Sequence, residues 1–530
     1  MERKEMYEKL CWGLKIAAVR ILCITGSLIF LVLTWYALRY TQYIPQYQSE
    51  IPLNIRDSEW KNLLALAVAG IGFCVLLKLE KYIPERGQIL VRRLLLSVLA
   101  VWIGIAGFLW ITAMDRQPVG DQAFIYGGAS YFIEGGYFFL EKGAYCEMYP
   151  YQLGLIFLVE LLFRIVGTYN YFACQLINVG LTMGISILGY LLTRKMSKRF
   201  AVSVTYCILM FFCLPLIFYT GWVYGDIPST FFILLTAYSL LKYTENQRLG
   251  WLVGMVLAVM FSILVRTNSL IMLVALCLTA GVYVLVKKDI KMFGALVLAV
   301  ILPWLAFAGI CKMYEIRSGM EIKGGVPSIT VIATGMQESD GRCGWDTPYN
   351  RTVYWEADCD PEATAEISRR DVEERLQEFL NNPSYALLFY GKKVLSQWNQ
   401  PLYQSLFFSA QYFEGKAPEP DSIEAKAHGE YSGSILNICD RLQFVLYFGV
   451  LCYFLFAVRK ESSILQHLLA ATIVGGFFFS IIWEAKARYI LPYYLMMYPL
   501  AVTGFVQAAA RAGRLFDRIR PLVKTKRTNP

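Results

Sequence analysis

Residues 149–167 read "YPYQLGLIFLVELLFRIVG", and whether this run crosses a bilayer decides the fold of the whole chain. It is long enough to cross, because a spanning helix needs about 20 apolar residues. Glu160 and Arg164 argue against it, since each costs about 2.5–3.5 kcal/mol at the centre of a bilayer. Four residues apart, they share one helix face, as in an amphipathic helix lying in the membrane interface. The basic residues elsewhere point the same way. Lys78, Lys81, Arg86, Arg92 and Arg93 follow the second apolar run and place that loop in the cytoplasm. If 149–167 stays on one side, Arg194, Lys195, Lys198 and Arg199 are cytoplasmic too, as are Lys287, Lys288 and Lys291, then Arg459 and Lys460, then the run from Arg511 to Arg527. If it crosses, all of them lie outside. The reading is therefore an interfacial helix.

Working outward, apolar runs near 16–38, 62–79, 94–113, 171–192, 200–219, 228–242, 250–266, 269–286, 292–311, 441–458, 464–482 and 489–509 give about twelve transmembrane helices with both termini inside. The expected fold class is an all-α polytopic membrane protein, with interfacial helices in the first large outer loop and a small mixed outer subdomain. A composition 57% hydrophobic and only 17% charged agrees, since soluble proteins carry about 25% charge. The net charge of +10 sits in short clusters between apolar runs, which reads as topology signal rather than nucleic-acid binding. The first apolar run follows "MERKEMYEKLCWGLK" without a small-residue cleavage site and reads as a retained span. Most of the thirteen cysteines lie inside apolar runs; Cys343 and Cys359 lie in polar sequence and are the pair able to form a disulfide on an oxidising face. Two histidines, His428 and His467, without zinc-ligand spacing, argue against a His-based triad or metal site.

With this topology the unusual polar residues gather on the outer face. The expected divisions are 1–93, two spans and a cytoplasmic loop; 94–311, a transmembrane core with an outer loop at 114–170; 312–440, an outer segment; 441–510, the last spans; and 511–530, a basic tail. Within 312–440, "SITVIAT" reads as a strand, Pro361 to Leu380 as a helix, and "YALLFYGKKVLSQW" as an apolar but basic stretch. In the loop, "DRQPVGDQAFIYGGASYFIEGG" (115–136) presents two acids. Asp115 reads as a solvated span end. Asp121 follows Gly120 and opens a short helix with Tyr126 and Ala129 on one face. There the helix dipole keeps a carboxylate ionised, as a general base for a hydroxyl requires.

These residues are also recognisable. "GDQAFIYGGASYFIEGG" resembles the first outer loop of the C-type (GT-C) membrane glycosyltransferases, and "MYPYQLGLIFLVELLFRIVG" resembles the interfacial helix that follows it. "YGDIPSTFFILLTAYSLLKY" is similar to the second outer acidic turn, and "ARYILPYYLMMYPLA" to the Arg-Tyr…Pro segment opening the last span. The pattern is closest to bacterial relatives of the protein O-mannosyltransferases and of the lipid A aminoarabinose transferase. Two extra N-terminal spans and the 312–440 segment depart from it, and the Trp-Trp-Asp signature of oligosaccharyltransferases is absent.

The resemblance implies a polyprenyl-phosphate-linked sugar as donor and a glycan, lipid or protein as acceptor. It also implies the plasma membrane of a bacterium, with the site on the outer face and membrane lipids as neighbours. Asp121 is then the base and Asp226 a second catalytic acid that orients the acceptor or helps hold a Mg2+ or Mn2+ ion; metal dependence varies across the superfamily. Arg266, Lys392 and Arg488 are the expected phosphate contacts, or else snorkelling span ends. Tyr126 and Tyr489 complete the substrate-binding set, with Glu147 and Glu484 as reserve acids. The rival class is a polytopic transporter or flippase for cell-envelope precursors; transporters, however, concentrate acids and broken helices at mid-membrane. A third class is a non-catalytic envelope-assembly scaffold. Turnover of a lipid-linked sugar separates the three.

Overall fold

The computed structural model describes residues 2–45, 50–114, 118–345, 347–410, 418–456 and 464–525. Asp115, Arg459, Lys460 and Arg527 lie outside the described residues. The chain is all-α, with two short two-stranded pairings, Tyr40–Tyr43 with Leu53–Arg56 and Glu338–Ser339 with Arg342–Cys343. Among the described residues, eight helices are long and apolar enough to cross a membrane, and up to ten if each of two bent pairs is one span. Each of the twelve expected spans coincides with a helical segment, but the count of twelve does not follow. Leu249–Val265 and Leu468–Ile482 are shorter apolar helices, Asp226–Asn246 is outside the set of eight, and Phe200–Phe211 with Leu214–Gly221 bends by 55°.

Burial orders the bundle. The apolar stretch of Ala487–Arg514 is 89% buried inside the protein, and that of Glu59–Leu79 only 11%. The last helix is thus the central post and the second is peripheral. The post packs against Ser432–Phe456 so closely that a Cβ on Gly504 would stand 1.9 Å from the Gly449 carbonyl oxygen. Small residues at such crossings let backbones touch, which is how helices gain packing where no hydrophobic effect drives them together.

Polar contacts sort the loops into two ends. Glu80 accepts the Phe200 amide (3.2 Å), Arg92 donates to the Lys198 carbonyl (3.0 Å), Lys195 pairs with Glu245, and Tyr243 donates to Asp289 (2.9 Å). These contacts gather the basic loops at one end. At the other end, Tyr171, which opens Tyr171–Met196, hydrogen-bonds Gln122 at the start of Asp121–Glu134. The chain therefore leaves Glu85–Met114, traverses residues 121–170 and re-enters the bundle at the same end. Leu153–Val166 lies in that excursion, after a bend of 101° between Phe138–Met148 and Pro150–Val166.

Four features of the structure bear on these expectations. Glu160 does not face the interface with Arg164: it is 2% exposed and accepts from Arg164 (2.6 Å), Arg317 (2.7 Å) and Tyr314 (2.6 Å). A carboxylate with three donors is stable out of water. "SITVIAT" is the helix Ser328–Thr334, because burial overrides its β-branched propensity: Thr330, Ala333 and Thr334 turn inward, Thr330 receiving the Ser368 hydroxyl and Thr334 donating to Asn350. Cys343 and Cys359 are both free thiols. The 312–440 division cuts two helices, Ile290–Ser318 and Ser432–Phe456. Pro361–Asn381 is helical as expected, and "YALLFYGKKVLSQW" belongs to the helix Pro383–Trp398.

Candidate functional site

Asp121 is placed by a helix held at both ends. Gly120, at φ 59°, turns the chain into Asp121–Glu134 with a backbone that suits glycine. In the first turn, the buried Gln122 carbonyl accepts from Tyr171 and from the Val223 amide (3.0 Å). At the far end, Arg317 donates to the Phe132 carbonyl (2.5 Å), Tyr137 (3.1 Å) and Glu160. The carboxylate at the N-terminus of this anchored helix meets Arg488, whose Nη2 is 2.9 Å from Asp121 Oδ2. The Asp121 side chain remains 39% exposed, and that of Arg488 only 5%. Burial alone would raise the Asp121 pKa. The charges of Arg488 and Lys486, the Arg488 hydrogen bond and the charge of Arg266 outweigh it, and the carboxyl is held below its ordinary 3.8.

A second pair stands beside the first. Arg266 Nη1 lies 2.7 Å from Asp226 Oδ1, with side chains 8% and 1% exposed. The contact is close but poorly aligned, so neither Asp226 carboxylate oxygen receives a hydrogen bond. Gly225 makes this approach possible, since a Cβ there would stand 2.2 Å from the Val265 carbonyl oxygen. Tyr489 and Tyr224 tie the pairs together. The Arg266 guanidinium is 5.2 Å from the Tyr489 ring centre and 5.9 Å from that of Tyr224, and Arg488 is 5.4 and 5.0 Å from the same rings. Trp222 and Phe408, stacked at 4.1 Å, flank Arg488 on another side. Among the described residues, Arg488 Nε is buried without a hydrogen-bond partner. A narrow cavity of about 20 Å³, room for a water molecule or two, lies among Arg266, Asn268, Tyr489 and Tyr493.

The structure thus brings together Asp121, Asp226, Arg266, Arg488 and Tyr489. It does not bring in Tyr126, which donates to the Tyr169 carbonyl and packs on Phe163, Tyr169 and Tyr171. Lys392 is exposed on Pro383–Trp398, and among the described residues no ion pair or hydrogen bond joins it to the cluster. Its neighbour Lys393 is the buried one, donating to the carbonyls of Gly335 (2.5 Å) and Ile481 (2.8 Å). Glu484 accepts from Tyr489 and borders the cluster; Glu147 accepts from the Gly143 amide (3.1 Å) and Tyr354 (2.6 Å), joining the first outer loop to the 312–440 segment. Gln122, Trp222, Tyr224 and Phe408 escaped the sequence reading. For Trp222 and Tyr224 the signal was the aromatic density of "TGWVYGDIP"; Phe408 carried none.

The arrangement does not fit a divalent cation. Hard cations need several carboxylate oxygens, and Asp121 and Asp226 each stand against a guanidinium whose charge repels a second cation. Among the described residues, no group of three or more His, Cys, Asp or Glu is placed to hold a metal ion.

No family model and no curated protein matches this chain. Among solved structures, the chain is similar to ArnT from Cupriavidus metallidurans, determined with undecaprenyl phosphate bound; identity is 13%, 80% of each chain is covered, and the TM-score is 0.33. A likeness so distant carries no argument about chemistry, and the chain stands on its own residues as an all-α, polytopic membrane protein.

Proposed function

We propose that this chain is a membrane glycosyltransferase that moves a sugar from a polyprenyl-phosphate carrier to an acceptor hydroxyl on the outer face of the membrane. The observation that carries the reading is the double ion pair: a reachable carboxylate, Asp121, on a buried guanidinium, Arg488, beside the buried Arg266. The basic loops gather at the opposite end of the bundle, which the positive-inside rule assigns to the cytoplasm together with both termini.

In the reaction, Asp121 takes the proton of the acceptor hydroxyl as its oxygen bonds the anomeric carbon. The bond from that carbon to the phosphate oxygen breaks, its electron pair stays on the phosphate, and the anomeric carbon inverts. A phosphate leaves as an anion and needs cations rather than a general acid, a role that falls to Arg488 and Arg266. The lowered pKa of Asp121 makes it a weak base that is ionised at neutral pH. That suffices where the acceptor oxygen sheds its proton late, once its bond to carbon has formed.

The test is release of undecaprenyl phosphate by purified protein given undecaprenyl-phosphate-linked monosaccharides and a hydroxyl acceptor. No release with any sugar of a broad panel, alongside energy-independent lipid scrambling, would favour the flippase reading. Cysteine accessibility checks the topology: positions near 130 and 370 should be labelled from outside and those near 85 and 196 protected. Outside labelling near 196 would overturn the assignment of faces.

A further inference from the structure

The turn "WEAKARY" (483–489) carries Arg488, yet it has little secondary structure of its own. Its backbone and that of the preceding helix end are received by the 312–440 segment. Lys393 donates to the Ile481 carbonyl and Trp398 Nε1 to the Ser480 hydroxyl (2.9 Å). The Ala485 amide donates to Gly344 (2.6 Å). The last contact of this series is on Arg488 itself, whose amide donates to Gln404 Oε1 at 3.0 Å. The other end of the same carboxamide donates to Glu50 Oε1 (3.2 Å), and Glu50 Oε2 pairs with Lys486 (3.1 Å). Gln404 is fully buried, and its own amide donates to Gln400 Oε1 (3.0 Å).

The backbone marks this residue too. Tyr403 and Gln404 both adopt left-handed φ, 49° and 61°, two non-glycine residues in succession. Such a conformation persists only where the surroundings over-determine it. Here Gln443 donates to the Tyr403 hydroxyl (2.7 Å) and Tyr219 to the Tyr403 carbonyl. The strained turn directs the Gln404 carboxamide between the Arg488 backbone and Glu50.

We infer that Gln404 is a positioning residue for Arg488, and that through it the 312–440 segment sets the guanidinium against the carrier phosphate. The inference rests on the phosphate role given to Arg488 above. Its one amide reads both sides of the site: the acceptor oxygen fixes where Arg488 starts, and the donor nitrogen keeps Glu50 on Lys486.

The test uses the full chain in nanodiscs and undecaprenyl phosphate as the probe, with affinity and unfolding temperature measured together. Gln404→Leu, which removes both contacts, should weaken binding about tenfold or more. Gln404→Glu keeps the acceptor but sets a carboxylate against Glu50, with Lys486 and Arg488 opposing and Tyr219 as the other titratable neighbour. At about pH 7.5 it should bind weakly, and at about pH 5, where protonation of the introduced carboxyl returns the donor, its affinity relative to wild type should recover. Trp398→Phe, which loosens the same segment without touching Arg488, should lower the unfolding temperature and leave binding unchanged. Should Gln404→Leu fail to fold, the two pH values of Gln404→Glu decide alone. Unchanged binding in the Gln404 variants, or a loss that acid does not restore and that Trp398→Phe shares, overturns the inference. Failure of the wild-type chain to bind the probe overturns instead the functional reading beneath it.

Discussion

Asp121–Arg488 and Asp226–Arg266 are the same chemical pair in two settings. In both, the arginine is nearly sealed; the carboxylate is 39% exposed in the first and 1% in the second. A carboxylate that solvent reaches can also be reached by an acceptor hydroxyl, whereas a sealed one can only hold its partner. Under the proposed function, the difference favours Asp121 as the base and gives Asp226 the part of holding Arg266 in place, rather than that of a second acid meeting the acceptor.

The largest effect expected from this contrast is kinetic. Asp121→Asn still accepts the Arg488 hydrogen bond through its amide oxygen but takes no proton, so transfer should fall by about 10²–10⁴-fold. Folding and undecaprenyl phosphate binding should persist, as unfolding temperature and equilibrium binding would report. Near-normal turnover by a folded Asp121→Asn protein would end the distinction between the pairs. Asp226→Ala should act on stability instead. It strands a buried guanidinium, and removing one partner of such a pair costs about 3–5 kcal/mol. A lowered unfolding temperature, with a loss of turnover per folded molecule well below that of Asp121→Asn, is the expected result; a stable but inactive variant would exchange the two roles.

Arg488→Ala removes a charge-assisted phosphate contact, about 1.5–3 kcal/mol, so donor use should fall tens-fold. Lys392→Ala, at an exposed position outside the cluster, should stay close to wild type in the same assay. The smallest expected effect is on pH. Asp121 titrates below its ordinary 3.8 because Arg488 and Lys486 outweigh its burial. Its contribution to stability is therefore complete above about pH 3.8 and is lost as pH falls through the lower folded value. The acid limb of the rate should likewise lie below the usual carboxylate range, and Arg488→Ala should move it upward. An acid limb indifferent to Arg488 would mean that another group titrates.

The two pairs also show how far the sequence could be read. Asp121 and Asp226 were visible because each is an acid just beyond an apolar run, a pattern contained in a few adjacent residues. Lys392 was expected near the phosphate, but composition marks only a basic stretch and does not say which side chain turns inward; Lys393 is the buried one, held by backbone carbonyls. Tyr126 shows the same limit from the other direction: its helix position was legible, and its engagement with Tyr169, 43 residues on, was not.

Hydropathy and charge alone determined that the chain is a helical membrane protein, that residues 149–167 remain at one end of the bundle, and that an acid opens the helix Asp121–Glu134. These are local properties, because apolar length and the asymmetry of Lys and Arg act segment by segment. Only the tertiary structure decided that Arg488 reaches back across 367 residues to Asp121, that Glu160 is enclosed by Arg164, Arg317 and Tyr314, and that Ser328–Thr334 coils rather than extends. Each of those outcomes depends on which helices pack together. A buried charge or a β-branched run takes the state its neighbours can satisfy, and those neighbours arrive from distant parts of the chain.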